Sequence, residues 1–300
     1  GKTAEAATTF KSIINSGLYD LVPNIEDIYR PAADFSAEYM WEFNAAEGAT
    51  NYSDQGDMRT AYMGWRADNV DSDGAGLVAA TWGFGAVTAN FAQFLLNHDG
   101  GKSARWKTFV ADYEDILDMG STGVWAPPVQ NNEGYFRLAR VPRKVDLYTT
   151  VIAWAAAART RANEPWIRYS EVLLLHAEAQ LASGDGDGSG LAALNKVRTR
   201  SGLSALGSYT LQDVKDEKRA EMFFEGERYF DLVRWGDAPT ALANKGKTWY
   251  SFYGYNEGTT NWNVTSMSGP GTGWQDKYKL LPFPADELTA NPALQQNPGW

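Results

Sequence analysis

Two kinds of residue in this chain could do chemistry: carboxylates repeated at short intervals beside arginines, and aromatic rings set among glycines and small polar residues. Glu217, Glu221 and Glu225 recur every four residues within EKRAEMFFEGERYFDLVRWG, interleaved with Arg219, Arg228, Asp231 and Arg234. A four-residue repeat is one face of a helix, so the row first means ordered charge. Arginine and carboxylate three or four apart pair locally, and a guanidinium fork satisfies a carboxylate bidentately. The stretch therefore reads as a structural ion network. Glycosidic hydrolysis needs only two carboxylates, and with 37 acidic residues their presence discriminates nothing.

Other catalytic and metal signals are weak. His98 and His176, the only histidines, stand outside HExxH or any other ligand spacing. His176 lies in an apolar helical run and reads as a core residue; His98, before Asp99 and a glycine pair, reads as a surface one. No GxSxG elbow is present, and zero cysteines remove disulfides and thiolate metal sites. Two loops imitate calcium sites, Asn69, Asp71, Asp73 and Gly74, and Asp185, Asp187, Ser189 and Gly190. Both lack the closing glutamate, since the twelfth positions are Ala80 and Lys196. The second reads as a solvated turn between helices. At the first, a cation that orders an irregular segment stays open, and no catalytic residue, metal or cofactor is assigned.

The rings carry the sharper signal. Sugar rings present apolar C–H faces that stack on flat aromatic side chains, while their hydroxyls need short polar partners nearby. YMGWRADN supplies both within a few residues: Tyr62, Trp65, Arg66, Asp68 and Asn69, with Trp82 and Phe84 following in a glycine-flanked turn. Trp65 and Trp82 are the leading candidates for ligand contact, the other five their partners. The alternative is that these rings plug the core of a loop-rich lobe. NKGKTWYSFYGYNEGTTNWNVTSMSGPGTGW forms a second irregular aromatic stretch, with Trp249 and Trp262 as reserve candidates.

Composition bounds the rest. The 300 residues are 44% hydrophobic, enough for a large core, and contain no apolar run of membrane-spanning length. A net charge of −10 argues against a nucleic-acid surface, which needs clustered Lys and Arg. Neutral ligands fit better, and 12 Trp, 15 Tyr and 13 Phe are the compositional anomaly.

The elements that must position these residues follow from periodicity. Ala6, Phe10, Ile13 and Ile14 share a helical face, with Gly17 placed to end it. Tyr39, Trp41 and Phe43 alternate with Glu38, Met40 and Glu42, the period of a short half-buried strand. Residues 44–88 lose periodicity and read as a long functional loop region. Phe91, Phe94 and Leu95 suggest a short helix, and 119–146 loop and strand. Residues 167–201 form two helices joined at SGDGDGSG, about the 34 residues of a tetratricopeptide-type unit. Thr210 and Asp213 form a capping box opening a third helix to about Glu225. Gly226 interrupts, and a further piece runs from Arg228 to Trp235 before Gly236. The expected fold is an α-rich α+β protein. Residues 1–22 and 164–236 make a tetratricopeptide-like helical scaffold, and 36–163 and 237–300 a loop-rich second lobe with short strands that faces the ligand.

WIRYSEVLLLHAEAQLASG, LNKVRTRSGL and EKRAEMFFEGERYFDLVRWG follow one another with wording and spacing that resemble the C-terminal part of SusD/RagB-type proteins. AEAATTFKSIINSGLYDL at residues 4–21 is similar to the family's helix ending in SGxYxL, and LPFPADELTANPALQQNPGW to its closing segment. The resemblance implies a surface lipoprotein, not an enzyme, that binds a glycan and delivers it to a TonB-dependent (SusC-like) transporter at the outer membrane. It also implies that these residues are a fragment of a longer chain whose lipid anchor lies upstream. A peptide or other nutrient on the same scaffold, a glycoside hydrolase, and a pure protein-interaction scaffold are the alternatives.

Overall fold

The apolar stripe of Ala6, Phe10, Ile13 and Ile14 winds into helix α1 (Thr3–Asn15), and Gly17 beyond it takes a left-handed conformation at φ +64°. The computed structural model describes residues 2–44, 87–111, 137–138, 162–252 and 264–300. After α1 come β1 (Tyr39–Phe43), α2 (Ala89–Asp99), α3 (Ala104–Phe109), β2 (Val110–Ala111), β3 (Arg137–Leu138) and β4 (Glu164–Arg168). Then follow α4 (Tyr169–Ala182), α5 (Ser189–Arg200), α6 (Leu211–Glu221), α7 (Arg228–Trp235), α8 (Ala238–Ala241), β5 (Thr248–Phe252), β6 (Val264–Ser268) and α9 (Ala285–Ala290). Among the described residues the strands pair as two-stranded ribbons, β1 with β4, β2 with β3 and β5 with β6. The chain is an α-rich α+β protein, with α4 and α5 as the tetratricopeptide-like pair.

Helix α4 organises the scaffold because it is apolar on nearly all sides, which a helix tolerates only when neighbours cover it. Tyr169, Val172, Leu173, Leu174, Ala177 and Ala179 are buried, and α1, α5 and α6 pack around them. Gly190 allows the close start of α5: a Cβ there would stand 2.7 Å from that of Gln180. The Asp185 carboxylate accepts from the Gly190 and Leu191 amides at 2.9 and 3.0 Å, and Asp187 from the Ser189 amide at 3.0 Å while pairing with Lys11. The calcium-like loop 185–190 is thus a helix-connecting turn whose carboxylates already have partners. Thr210 and Asp213 close the expected capping box on α6.

Two apolar clusters form, one around Trp106, Phe109, Leu95, Ile25 and Tyr39, the other around α4 with Leu194, Val197 and Val214. Between Ala220 of the first and Met222 of the second sits Glu221, fully buried. Arg105 donates to it at 3.1 Å and Arg168 at 3.2 Å, and Arg200 is a third partner. Arg168 also reaches Glu38 at 2.6 Å, Arg200 reaches Glu38 at 3.1 Å, and Arg198 reaches Glu217 at 2.8 Å. Arg105 binds Glu217 as well and Asp99 at 3.4 Å.

The ion network expected from the glutamate row is present, but its partners differ. Arg219 instead donates to Asn90 at 2.7 Å and lies 4.1 Å over the Phe94 ring, and Arg228 lies 5.9 Å over Trp235, whereas Arg234 makes the expected local pair with Asp231 at 2.9 Å. His98 is no surface residue either. Its side chain is 11% exposed and bridges Asp99 at 2.6 Å and Glu217 at 3.4 Å. Helix α6 stops at Glu221, short of Glu225, because Phe224 adopts φ +69° and Arg168 takes the Glu221 carbonyl at 3.1 Å.

Contacts divide the chain into two compact units, one built on the chain up to Phe224 and the other on Glu225–Ser251 with Val264–Trp300. Within the second, Tyr229, Trp274, Tyr278 and Trp300 contact one another in sequence, and the Trp300 indole donates to the Lys277 and Leu280 carbonyls at 3.1 Å. Gly236, at φ +77°, ends α7 as expected.

Removing one partner of a buried ion cluster strands the opposite charge, so Arg168→Ala should cost about 3 to 5 kcal/mol in urea unfolding. Arg234→Ala, at a pair whose arginine side chain is 38% exposed, should cost under about 1 kcal/mol. Equal losses would remove the buried network as the source of stability.

Burial raises the Glu221 pKa, but Arg200, Arg105 and Arg168 together outweigh it, and the value falls from 4.5 to about 2. A depressed folded pKa stabilises above the unfolded value and loses that contribution as pH falls through the folded one. Stability should therefore hold above about pH 5 and decline as pH falls from 4.5 toward about 2. A wild-type profile flat across that window would contradict this.

Candidate functional site

β1 and β4 run antiparallel, with Tyr39 opposite Arg168, Trp41 opposite Ile167, Glu42 opposite Pro165 and Phe43 opposite Glu164. In a straight strand, Tyr39, Trp41 and Phe43 would share one face. The register instead shifts between Tyr39 and Trp41 and again between Trp41 and Glu42. Such irregularities re-aim side chains. Tyr39 stays in the core, where its hydroxyl accepts from the Tyr29 amide at 2.9 Å, while Trp41 is 56% and Phe43 53% exposed. From β4, Trp166 is 58% exposed.

The three rings form one cluster. Trp41 and Phe43 centroids lie 6.2 Å apart at 40°, and Phe43 meets Trp166 edge-on at 5.5 Å and 79°. Behind them Glu42 acts as a clasp: it accepts from the Phe35 amide at 3.0 Å and from the Asn163 side chain at 2.9 Å. The Asn163 amide in turn donates to Asp34 at 2.8 Å. Phe35 is held at φ +57°, a left-handed backbone that an aromatic residue seldom adopts.

This arrangement can bind flat apolar faces. The Glu42 carboxylate is engaged by the clasp, and among the described residues no group of three or more His, Asp or Glu is placed to hold a metal ion. His176 contacts the Ser189 hydroxyl at 3.0 Å, a pairing that elsewhere activates a nucleophile. Here the imidazole is fully buried, burial lowers its pKa, and Gln180 shares the same hydroxyl at 3.0 Å. That contact joins α4 to the start of α5. No helix among the described residues is long and apolar enough to cross a membrane.

Trp65, Trp82, Tyr62, Arg66, Asp68, Asn69 and Phe84 all lie outside the described residues, as does the 69–74 loop. Trp262 does too, and Trp249 falls on β5. Sequence periodicity had found Trp41 and Phe43 as strand residues but not their exposure, because alternation does not say where along a strand the core ends. Trp166 had a weak signal, a tryptophan just ahead of an apolar helix.

A helical-hairpin scaffold with short ribbons beside it defines the class of protein. Within that class the chain belongs to the SusD family, whose sequence pattern matches residues 105–300. The Bacteroides thetaiotaomicron starch-binding protein SusD is 29% identical over 137 residues, covering 45% of this chain and 21% of that protein. A SusD-like protein of Bacteroides ovatus is 37% identical over 71 residues, 23% of this chain and 13% of that one. Surface glycan-binding protein A from B. thetaiotaomicron, solved with laminarihexaose, shares the fold at TM-score 0.71 and 21% identity, covering 98% of this chain and 60% of that one. The chain thus spans under two thirds of each relative's length, from 13% to 60%.

Glu42→Ala would leave the Phe35 amide and the Asn163 side chain without their acceptor, which should cost about 1 to 3 kcal/mol. Amide exchange should quicken at Phe35 and along β1 first. Unchanged exchange there would show that the clasp does not hold the ribbon.

Proposed function

We propose that this protein captures a glycan at the bacterial cell surface and passes it to a TonB-dependent (SusC-like) transporter, held at the outer membrane by a lipid anchor upstream of these residues. The family match over residues 105–300 carries the reading. It is supported by one relative named for starch binding and by a solved neighbour in complex with laminarihexaose. The chemistry agrees: acidic balance favours a neutral ligand, and stacking on aromatic rings needs no general acid, metal or nucleophile. Capture without turnover suits a ligand that must be handed on, because a carrier needs an affinity it can surrender.

Trp65 and Trp82 are proposed as stacking rings, with Tyr62, Arg66, Asp68, Asn69 and Phe84 supplying further ring surface and hydroxyl partners. Calorimetry against soluble polysaccharides and peptides should show saturable binding to a glycan and no release of reducing ends. Trp65→Ala and Trp82→Ala should each remove roughly 1 to 3 kcal/mol of binding, about fivefold to somewhat over a hundredfold in affinity, with little change in melting temperature. Binding only to peptides would redirect the ligand class, and reducing-end release that tracks the purified protein would overturn the non-enzymatic reading.

A further inference from the structure

We infer that residues 280–283, with Lys245, Lys277, Tyr278 and Trp300 beside them, form a surface that docks on a bilayer of anionic lipid. The inference goes beyond glycan capture and rests on that reading only for its placement at an outer membrane. Every residue it uses lies in the second compact unit. Leu281 is 75% and Leu280 53% exposed, and Phe283 and Trp300 are exposed beside them. Large apolar side chains gathered in this way mark an interaction face.

The backbone that carries these side chains has most of its polar groups paired within the protein. The Leu280 amide donates to the Lys277 carbonyl at 3.2 Å, and the Phe283 amide to the Gln296 side chain at 2.8 Å. The Trp300 indole donates to the Leu280 carbonyl at 3.1 Å, the Asn297 side chain to the Leu281 carbonyl at 2.6 Å, and the Gln296 side chain to the Phe283 carbonyl at 3.0 Å. Pro282 brings no N–H to satisfy, and neither does Pro284, whose carbonyl accepts from the Glu287 and Leu288 amides. An exposed loop in water does not need such pairing. Backbone that enters an apolar layer does, because a polar group left unpaired there finds nothing to replace water.

Charge beside the apolar residues selects the occupant. Lys277 lies 4.4 Å over the Trp300 ring and 5.6 Å over Tyr278, and Lys245 lies 5.9 Å over Tyr278, so both ammonium groups border the rings next to Leu280. Among the described residues neither lysine pairs with a carboxylate, in a chain whose net charge is −10. Lys279 does pair, with Asp276 at 3.3 Å, and Asp286 and Glu287 stand beyond Pro284 on α9. Two ammonium groups left open beside exposed leucines complement phosphate-bearing headgroups, which attract lysine near a lipid surface. Lysine stems lie along apolar surface with their charged ends in water, and Tyr and Trp settle at the headgroup level. Leu and Phe below that level and Lys at it are the composition of an interfacial anchor.

The test is flotation of the 300-residue chain with vesicles of equal parts phosphatidylglycerol and phosphatidylethanolamine, and separately with phosphatidylcholine vesicles. The anionic vesicles should carry the protein up, less so at high salt, and phosphatidylcholine severalfold less. Leu281→Asn should lower the partition coefficient roughly tenfold or more and Lys245→Gln about fivefold, both at unchanged melting temperature because both side chains are exposed. The chain holds no cysteine, so an environment-sensitive dye on Leu281→Cys reports one place, and its emission should shift to the blue only with anionic vesicles. Should Leu281→Asn unfold, the dye decides. Equal binding to both vesicles, wild-type binding in both variants, or an unshifted dye overturns the proposal. So does a dimer in sedimentation that Leu281→Asn dissolves, which would assign the face to a second copy. Glycan titration of the same preparation separates the two readings: saturable glycan binding without vesicle binding removes the lipid face alone, and vesicle binding without any glycan ligand counts against glycan capture alone.

Discussion

Glu221 is the point on which the scaffold depends. Its carboxylate is fully buried and meets Arg105, Arg168 and Arg200, which arrive from α3, β4 and α5. Desolvating one carboxylate and three guanidiniums would be prohibitive without mutual compensation. The network therefore extends until charge balances: Arg105, Arg168, Arg198 and Arg200 face Glu38, Asp99, Glu217 and Glu221, with His98 at the edge. Apolar packing alone would let the two clusters slide against each other, since it has no direction. Guanidinium forks do have direction, and Arg168 fixes both strand and helix by also taking the Glu221 carbonyl.

The same residue couples scaffold to surface. Arg168 is the last residue of β4 and directly precedes α4, and Glu38, its partner, directly precedes β1. The ribbon is thus anchored at the end nearest the network, where Tyr39 pairs with Arg168. The clasp of Glu42, Asn163 and Asp34 fixes its other end. Between the two anchors lies the register shift that turns Trp41 outward. A ribbon of two strands is marginal alone, and this one is held by charge at one end and amide hydrogen bonds at the other.

Much of this was legible in the sequence, and the limits have physical causes. Helices α1, α4, α5 and α6 were readable because their apolar spacing and caps are local: Gly17, the Thr210–Asp213 box and Gly236 act within a turn of where they stand. The glutamate row announced an ion network, but its partners Arg105, Arg168 and Arg200 come from other elements, and pairing across 116 residues, as between Arg105 and Glu221, has no sequence period. His98 was misplaced for the same reason, since its burial depends on Glu217. Trp41 and Phe43 showed the right strand and concealed their exposure, because how far along the ribbon the core reaches depends on residues distant in sequence.

That concealment bears on what a binding protein of this kind needs. Rings on glycine-rich backbone can adapt to a ligand but must lose freedom when they do so. Rings on a ribbon anchored at both ends have lost it already. A carrier that must capture and then release gains from keeping affinity moderate while losing none of it to disorder, and a wet, shallow aromatic face on rigid backbone meets both demands. In this chain the buried arginines are spent on buried carboxylates, and through Arg168 and Glu38 they hold the end of the ribbon in place.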